Sequence, residues 1–439
     1  MQTKKQATKD ATWMGHFART SFGVHIMPFA AGTFLITLLL FAYYNSTWRS
    51  FANFQAAIDT CAQPFCDFVK FYYPMGEVVF HTKMPLNGFV YSPFIAVLMA
   101  IFPRLGLHTA LALWGILLAI SIIFYLFLFY QLVPPGLPIQ LLFVGLALSS
   151  FPLLHTLTWG QVSLFTTTAV LGALFFYERG QRAVAAVLLA FGLGFKFFPV
   201  IFLVPFVFRR DIRFLLYMIA ACATFLFVIP CIFLGVGNML NFYSGLLDAY
   251  HNFDWVITNY NSQYFPHVFI RLAKVLGMNA RTYLPLLHWI AYGIAAINMG
   301  LVYLVQRARL QHANLWSFHI IFLTIPFVLM TSWPVDLIYI SFGQGLLAWH
   351  LLEERNTSAR SLRQYVALVF LFASIFISNI FFFNLIADHI RYGYIGFIFW
   401  AILLLLVISY MELLPLTLRQ IPAISKNSTA GDEDAKKTC

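Results

Sequence analysis

Residues 108–131 read HTALALWGILLAISIIFYLFLFYQ, a stretch without a single Asp, Glu, Lys or Arg. One helical crossing of a bilayer needs about 20 apolar residues, and this stretch supplies them. It is not isolated. Working outward, comparable runs lie near 22–43 and 87–103 on its N-terminal side. On the other side they lie near 138–153, 162–178, 183–208, 214–235, 283–305, 315–332, 335–352, 364–384 and 392–415. Composition agrees, with 61% of the residues hydrophobic and 10% charged. The runs do not alternate in polarity as the strands of a β-barrel would. The expected fold is all-α, a polytopic helical membrane protein of about 11–13 transmembrane helices.

The net charge of +11 does not point to nucleic acid, because the basic residues sit in short loops and at the N-terminus. There they act as orientation signals. Lys4, Lys5, Lys9 and Arg19 place residues 1–21 in the cytoplasm, and Arg209–Arg213, Arg307/Arg309 and Arg355/Arg360/Arg363 mark further cytoplasmic loops. Two longer loops, about 44–86 and 236–282, are close to charge-balanced and belong on the outer face. The first run is preceded by basic residues, as in a signal peptide, but its apolar core is too long. Tyr43-Tyr44-Asn45 is no small-residue cleavage site either. A membrane domain over 22–415 and a disordered cytoplasmic tail over 416–439 complete the expected layout.

The segment 183–208 is long for one span and short for two, and Gly192, Gly194, Lys196 and Pro199 cluster at its centre. Helices broken at membrane depth are tolerated where they line an enclosed or wet cavity. A broken hairpin carrying Lys196 to the outer face would satisfy the basic loops at both ends. Five cysteines in so long a chain are no disulfide scaffold. Cys61 and Cys66 share the outer loop, where an oxidising compartment permits a bridge, and the spacing leaves bridged and free forms equally open. No metal site is expected.

Polar residues stand out against such a background. Asp67 lies in CDFVKFYYPMGEVVFHTKMPLNGFVYSPF, residues 66–94, as a chemical candidate or as a carboxylate paired with Lys70 or a helix N-terminus. Trp159-Gly160-Gln161 opens an apolar run. Lys196 sits inside GLGFKFFPV, where an uncompensated Lys costs about 2.5–3.5 kcal/mol on insertion scales, so an anion partner is expected. Asn261-Ser262-Gln263 precedes His267 and Arg271, which share one helix face at i, i+4.

The order of these segments, from DFVKFYYPMGEVV to NSQYFPHVFIRL, resembles glycosyltransferase family 87, the polytopic GT-C-fold enzymes typified by polyprenyl-phosphate-mannose-dependent mannosyltransferases. The resemblance runs from Asp67 to about Arg271. It places the family's loop aspartate on Asp67, its Tyr-x-Pro on Tyr91-Ser92-Pro93, its Gly-Gln on Gly160-Gln161 and its Lys-x-x-Pro on Lys196 and Pro199. The polar Asn…Arg element falls on Asn261 and Arg271. Two departures are visible. Asn-Ser-Gln stands where members often have Asn-Gln-Ser, and no His closely follows Trp333 in Ser332-Trp333-Pro334-Val335-Asp336.

The resemblance implies transfer of a hexose, mannose first, from a polyprenyl-phosphate sugar to a lipid or glycan acceptor. The reaction would run on the outer face of a bacterial inner membrane, with inversion and without a cofactor. Asp67 would take the acceptor's proton. Lys196 and Arg271 would stabilise the phosphate as charge develops there. Asn261, Gln263, Gln161, His267 and Tyr91 would complete donor binding, and no metal-binding DxD signature appears in the outer loops. The partners are then the lipid donor, the acceptor and membrane lipids, with no nucleic acid. A transporter or flippase of a lipid-linked sugar is the alternative; it should show internal repeats, and none is found.

Overall fold

The computed structural model describes residues 65–436 apart from 83–84, 87–88, 134–136, 252, 279, 354–360 and 387. The expected cytoplasmic N-terminus, the run at 22–43 and Cys61 lie outside the described residues. Those residues form helices throughout and no β-strand, as the apolar runs require: in lipid a helix satisfies every backbone hydrogen bond within its own segment.

Five helices among the described residues are long and apolar enough to cross a membrane: Leu107–Leu132, Ile212–Leu234, Arg281–Arg307, Pro334–Leu352 and His389–Gln420. Their surroundings differ. Pro334–Leu352 is 83% buried within the protein and sits at its centre, whereas Ile212–Leu234 is only 17% buried. The latter exposes Leu216, Ile219 and Ile232, a face suited to lipid. The other apolar helices, among them Ser163–Glu178, Arg182–Phe195 and Ala313–Val328, are shorter than one crossing needs. The expected 11–13 spans are therefore a mixture of full-length helices and short or broken ones packed within the protein. The final helix, Phe397–Lys436, also runs through the stretch expected to be a disordered tail. Elongating an established helix fixes one residue per added hydrogen bond, so little is needed to carry it on.

The segment 183–208 is the broken hairpin its glycines and proline suggest. Arg182–Phe195 is α-helical, Lys196 is extended, and a 3-10 turn, Phe198–Leu203, leads into the return helix Val204–Phe208. Its two ends meet: Arg182 Nε lies 2.8 Å from Asp211 Oδ2, which also accepts from the Tyr177 hydroxyl at 2.8 Å. Arg179 donates to Gln131 and Arg209 to Gln306, so the basic loops gather at this same end. Fourteen helical residues carry the chain about 21 Å away before Lys196. The basic residues around Arg182 and Lys196 thus lie at opposite ends of this helix.

At the Lys196 end, the helix Phe151–Trp159 closes on Gly160 in the left-handed conformation. A Cβ there would meet the Phe65 Cβ at 2.6 Å. Glycine is therefore required twice over, by φ and by space. The gap lets Phe65 N donate to Thr158 O at 3.0 Å and lets Trp114 Nε1 donate to Gly160 O at 2.9 Å. Phe68 stacks on Trp114 at 4.7 Å, fixing the loop that carries Asp67. Cys66 is disulfide-bonded.

Two outcomes follow. Lys70→Cys should react with a membrane-impermeant maleimide in intact cells and Arg210→Cys only after permeabilisation, each measured against the parent protein; the reverse pattern would refute the orientation. Gly160→Ala should lower the thermal midpoint and abolish activity, as judged on purified protein, whereas an alanine at exposed Gly180 should cost much less.

Candidate active site

The loop that bears Asp67 enters a π-helical turn, Phe68–Tyr72. This wider turn, a feature frequent at functional sites, lets Asp67 and Tyr72 reach the same partner while Lys70 points to solvent. That partner is Gln161. The Tyr72 and Tyr91 hydroxyls donate to Gln161 Oε1 at 2.9 and 3.1 Å and lie 2.8 Å from each other. With Oε1 so engaged, Nε2 is left to donate to Asp67 Oδ2. Asp67 is 4% exposed, and its second carboxylate oxygen has no hydrogen-bond partner among the described residues. The pairing with Lys70 considered from sequence does not form.

Burial pushes the Asp67 carboxyl up to about 7, against the lowering effect of the Gln161 hydrogen bond and of the Lys196 and Lys70 charges. Desolvation disfavours the charged form. It leaves Asp67 balanced near neutrality, where a proton acceptor works best.

Lys196 stands across the same cavity. Its ammonium is ion-paired with Asp336, which also accepts from the Ser163 hydroxyl at 2.8 Å. The anion partner expected for this lysine is thus a carboxylate of the protein itself. The Tyr91 ring centroid lies 5.7 Å from Nζ. The Ser92 hydroxyl donates to the Gly194 carbonyl, tying Tyr91-Ser92-Pro93 to the tip of the broken helix. A Cβ on Gly194 would strike the Phe94 ring at 2.8 Å.

The cavity these residues share has a volume of about 380 Å³, within the range of small-ligand sites, roughly 300–1,000 Å³. Both loops expected on the outer face reach it: Asp67 and Phe71 come from the first, and Tyr250, Trp255, Asn259, Tyr260 and Asn261 from the second. Of the residues anticipated from sequence, Asp67, Tyr91, Gln161, Lys196 and Asn261 line it. Gln263, His267 and Arg271 do not.

Arg271 corrects the expectation of a second phosphate-binding cation. It is 1% exposed, and its guanidinium donates to the carbonyls of Asn259, Ser262, Gly393 and Tyr394. His267 Nδ1 pairs with the Ser262 hydroxyl at 2.8 Å. Gln263 receives the Phe399 amide at 3.2 Å and donates toward Gly393 O. Arg271 and Gln263 brace the second loop against the 393–399 turn, and His267 ties Ser262 to the start of its own helix.

Sequence reasoning gave no role to Asp336, Trp333, Trp159, Trp255 or His155, all of which line the cavity. For Asp336 a signal existed: a lysine inside an apolar run needs a counter-charge, and only 16 Asp and Glu occur in the chain.

No cluster of three or more His, Cys, Asp or Glu side chains that could hold a metal occurs among the described residues. What the arrangement offers instead is a proton acceptor near neutral pKa, a fixed cation and an aromatic cavity between them.

The family model of glycosyltransferase family 87 matches residues 89–332. Asp67 and Asp336 fall outside the matched residues, while Tyr91, Gln161, Lys196 and Asn261 fall within them. No curated protein and no solved structure matches the chain. With more than half of its length inside that match, and with helices fit to span a bilayer, the chain belongs to glycosyltransferase family 87 and is an integral membrane glycosyltransferase.

Proposed function

We propose that the protein transfers a hexose, mannose first, from a polyprenyl-phosphate sugar to a lipid-linked or glycan acceptor. Transfer takes place on the outer face of a bacterial inner membrane and inverts the anomeric centre. One observation carries the reading: Asp67 is buried at the cavity that Lys196 also lines, with one oxygen fixed by Gln161 and the other unengaged among the described residues.

In this reaction the free Asp67 oxygen takes the proton of an acceptor hydroxyl, which is a poor nucleophile until that proton leaves. The hydroxyl oxygen attacks the anomeric carbon as the bond to the phosphate oxygen breaks, and the electron pair departs with the polyprenyl phosphate. Lys196 meets that growing charge. Its ammonium has three donors, and Asp336 fixes the head in place while leaving donors over. A cation already held where charge develops stabilises the transition state without reorganisation. Gln161, steered by Tyr72 and Tyr91, keeps the carboxylate aimed. Asn261 offers hydrogen bonds to sugar hydroxyls. Asp336, whose Oδ1 takes both Lys196 and Ser163, serves as the anchor of that lysine, and the reaction is a single displacement. The disulfide at Cys66 supports an oxidising compartment and hence the outer face.

Asp67→Asn should lower the transfer rate by about 10²–10⁴ while leaving donor binding within a few-fold. The variant Glu77→Gln, at an exposed position of the same loop, should remain active. Near-parental turnover by Asp67→Asn would remove the mechanism.

Because the base must be deprotonated, kcat/KM should plateau above pH 7 and fall about tenfold per unit below it. A profile flat down to pH 5 would contradict the role.

Lys196→Met should strip the phosphate of its cation and leave Asp336 buried without its partner, a strongly destabilising change. The double variant Lys196→Met/Asp336→Asn should regain thermal stability and still show at least a tenfold higher KM for donor. Recovery of donor use along with stability would make Lys196 a structural ion pair only.

A further inference from the structure

The end of the broken hairpin remote from Lys196 carries a charge pattern that orientation alone does not account for. Arg209, Arg210 and Arg213 follow the return helix, Arg307 and Arg309 close the helix Leu284–Arg307, and all five are exposed. The two helix ends meet: Arg209 Nε donates to Gln306 Oε1, and the Phe208 and Tyr303 rings lie 5.4 Å apart. Gln306 is itself fixed, its amide nitrogen donating to Ser317 Oγ at 2.7 Å and to Asn314 Oδ1 at 3.2 Å. Asp211, the one carboxylate of these two loops, is taken by Arg182 and Tyr177. Arg210, Arg213, Arg307 and Arg309 have no ion pair among the described residues.

Two features set these residues apart from an orientation signal. Every one of them is arginine. Orientation is indifferent to Lys or Arg, whereas the planar guanidinium fork grips a phosphate through two parallel hydrogen bonds. Secondly, Arg210 and Arg309 hold φ at 55° and 52°. Four residues other than glycine are left-handed among the described ones, and two of them are these arginines. A Cβ disfavours that conformation, and helices commonly end on glycine there. A cation near a helix's last carbonyls does complement its dipole, but Arg307 already supplies one without leaving helical geometry. Strain kept at a residue other than glycine points to a use for its side chain. Beside the arginines, Val207 is 53%, Phe208 38% and Tyr303 41% exposed. This apolar strip joins the charged groups directly, since Arg307 donates to the Tyr303 hydroxyl at 3.3 Å. A phosphate above apolar chains matches both halves.

We propose that the junction of these two helix ends binds an anionic phospholipid of the membrane leaflet that borders it. The phosphodiester sits among Arg210, Arg307 and Arg309, and an acyl chain runs over Val207, Phe208 and Tyr303. A zwitterionic lipid would bring an ammonium into a cluster of guanidinium groups, so the net charge of the headgroup decides binding. An acidic protein segment would meet the arginines but leave the apolar strip unmatched. None of these side chains lines the cavity, so the site stands apart from the transfer reaction.

The test is native mass spectrometry of the purified full chain in detergent, titrated with dioleoyl phosphatidylglycerol, dioleoyl phosphatidylcholine or inorganic phosphate and paired with melting curves. Phosphatidylglycerol should bind at least tenfold more tightly than phosphatidylcholine, and inorganic phosphate should not displace it. Arg210→Gly/Arg309→Gly relieves both left-handed positions and removes both guanidinium groups. It should melt at or above the parental temperature without added lipid, and its preference between the two lipids should fall to within twofold. Arg210→Gln/Arg309→Gln should lose the preference as well and covers the case in which the glycine variant does not accumulate. Lys274→Gln/Arg281→Gln removes the same charge at exposed positions of the second loop and should keep the preference. Equal binding of the two lipids by the parent, a preference kept by both Arg210/Arg309 variants, or its loss in the Lys274/Arg281 variant would overturn the site. Displacement of the lipid by inorganic phosphate would reduce it to an anion site and overturn it too.

Discussion

The hydrogen bond from Gln161 to Asp67 is the contact on which the site depends. A carboxylate hidden in so apolar a protein is costly unless it is paired, and here it is satisfied on one side only. Gln161 can serve it because Tyr72 and Tyr91 occupy the amide oxygen and turn the amide nitrogen inward. Those tyrosines are in turn placed by the π-helical turn and by the segment entering the Pro93–Met99 helix. The amide itself stands where it does because Gly160 adopts a conformation and a closeness to Phe65 that no other residue would tolerate. Each element of the local sequence is thus spent on aiming one oxygen and leaving the other open.

The second constraint is the broken hairpin. A continuous helix over 183–208 would carry Lys196 through the middle of a span with apolar neighbours all round. Breaking it returns the chain to the basic end, where Arg182 meets Asp211, and leaves Lys196 at the far tip facing Asp336. Buried ion pairs add little net stability, because desolvation offsets most of the attraction. The Lys196–Asp336 pair makes better sense as a fixed cation beside a cavity than as a fastening.

Most of the architecture was legible in the sequence because lipid imposes one rule, and apolar length follows from it. The length of each crossing was not, since helices packed inside the protein, such as Ala313–Val328, need not match the bilayer's thickness. At the site, Asp67, Tyr91, Gln161, Lys196 and Asn261 stood out as polar residues in an apolar setting, and they line one cavity. Arg271, Gln263 and His267 stood out for the same reason and do not line it. What separates the groups is a turn at 393–399, more than 120 residues away, whose carbonyls and amide absorb Arg271 and Gln263. Local sequence carries no trace of that. His155 and Asp336 were passed over because each sits at the edge of an apolar run, where a polar residue looks like a boundary.

The central claim is that this cavity moves a sugar from a lipid phosphate to an acceptor hydroxyl. Its most direct test is transfer by the purified protein in proteoliposomes, with radiolabelled polyprenyl-phosphate mannose and polyprenyl-phosphate arabinose supplied in turn alongside membrane lipid extract. The account predicts label passing from the mannose donor into a new glycolipid or glycan, with release of free polyprenyl phosphate. Label that stays on both donors throughout would contradict it.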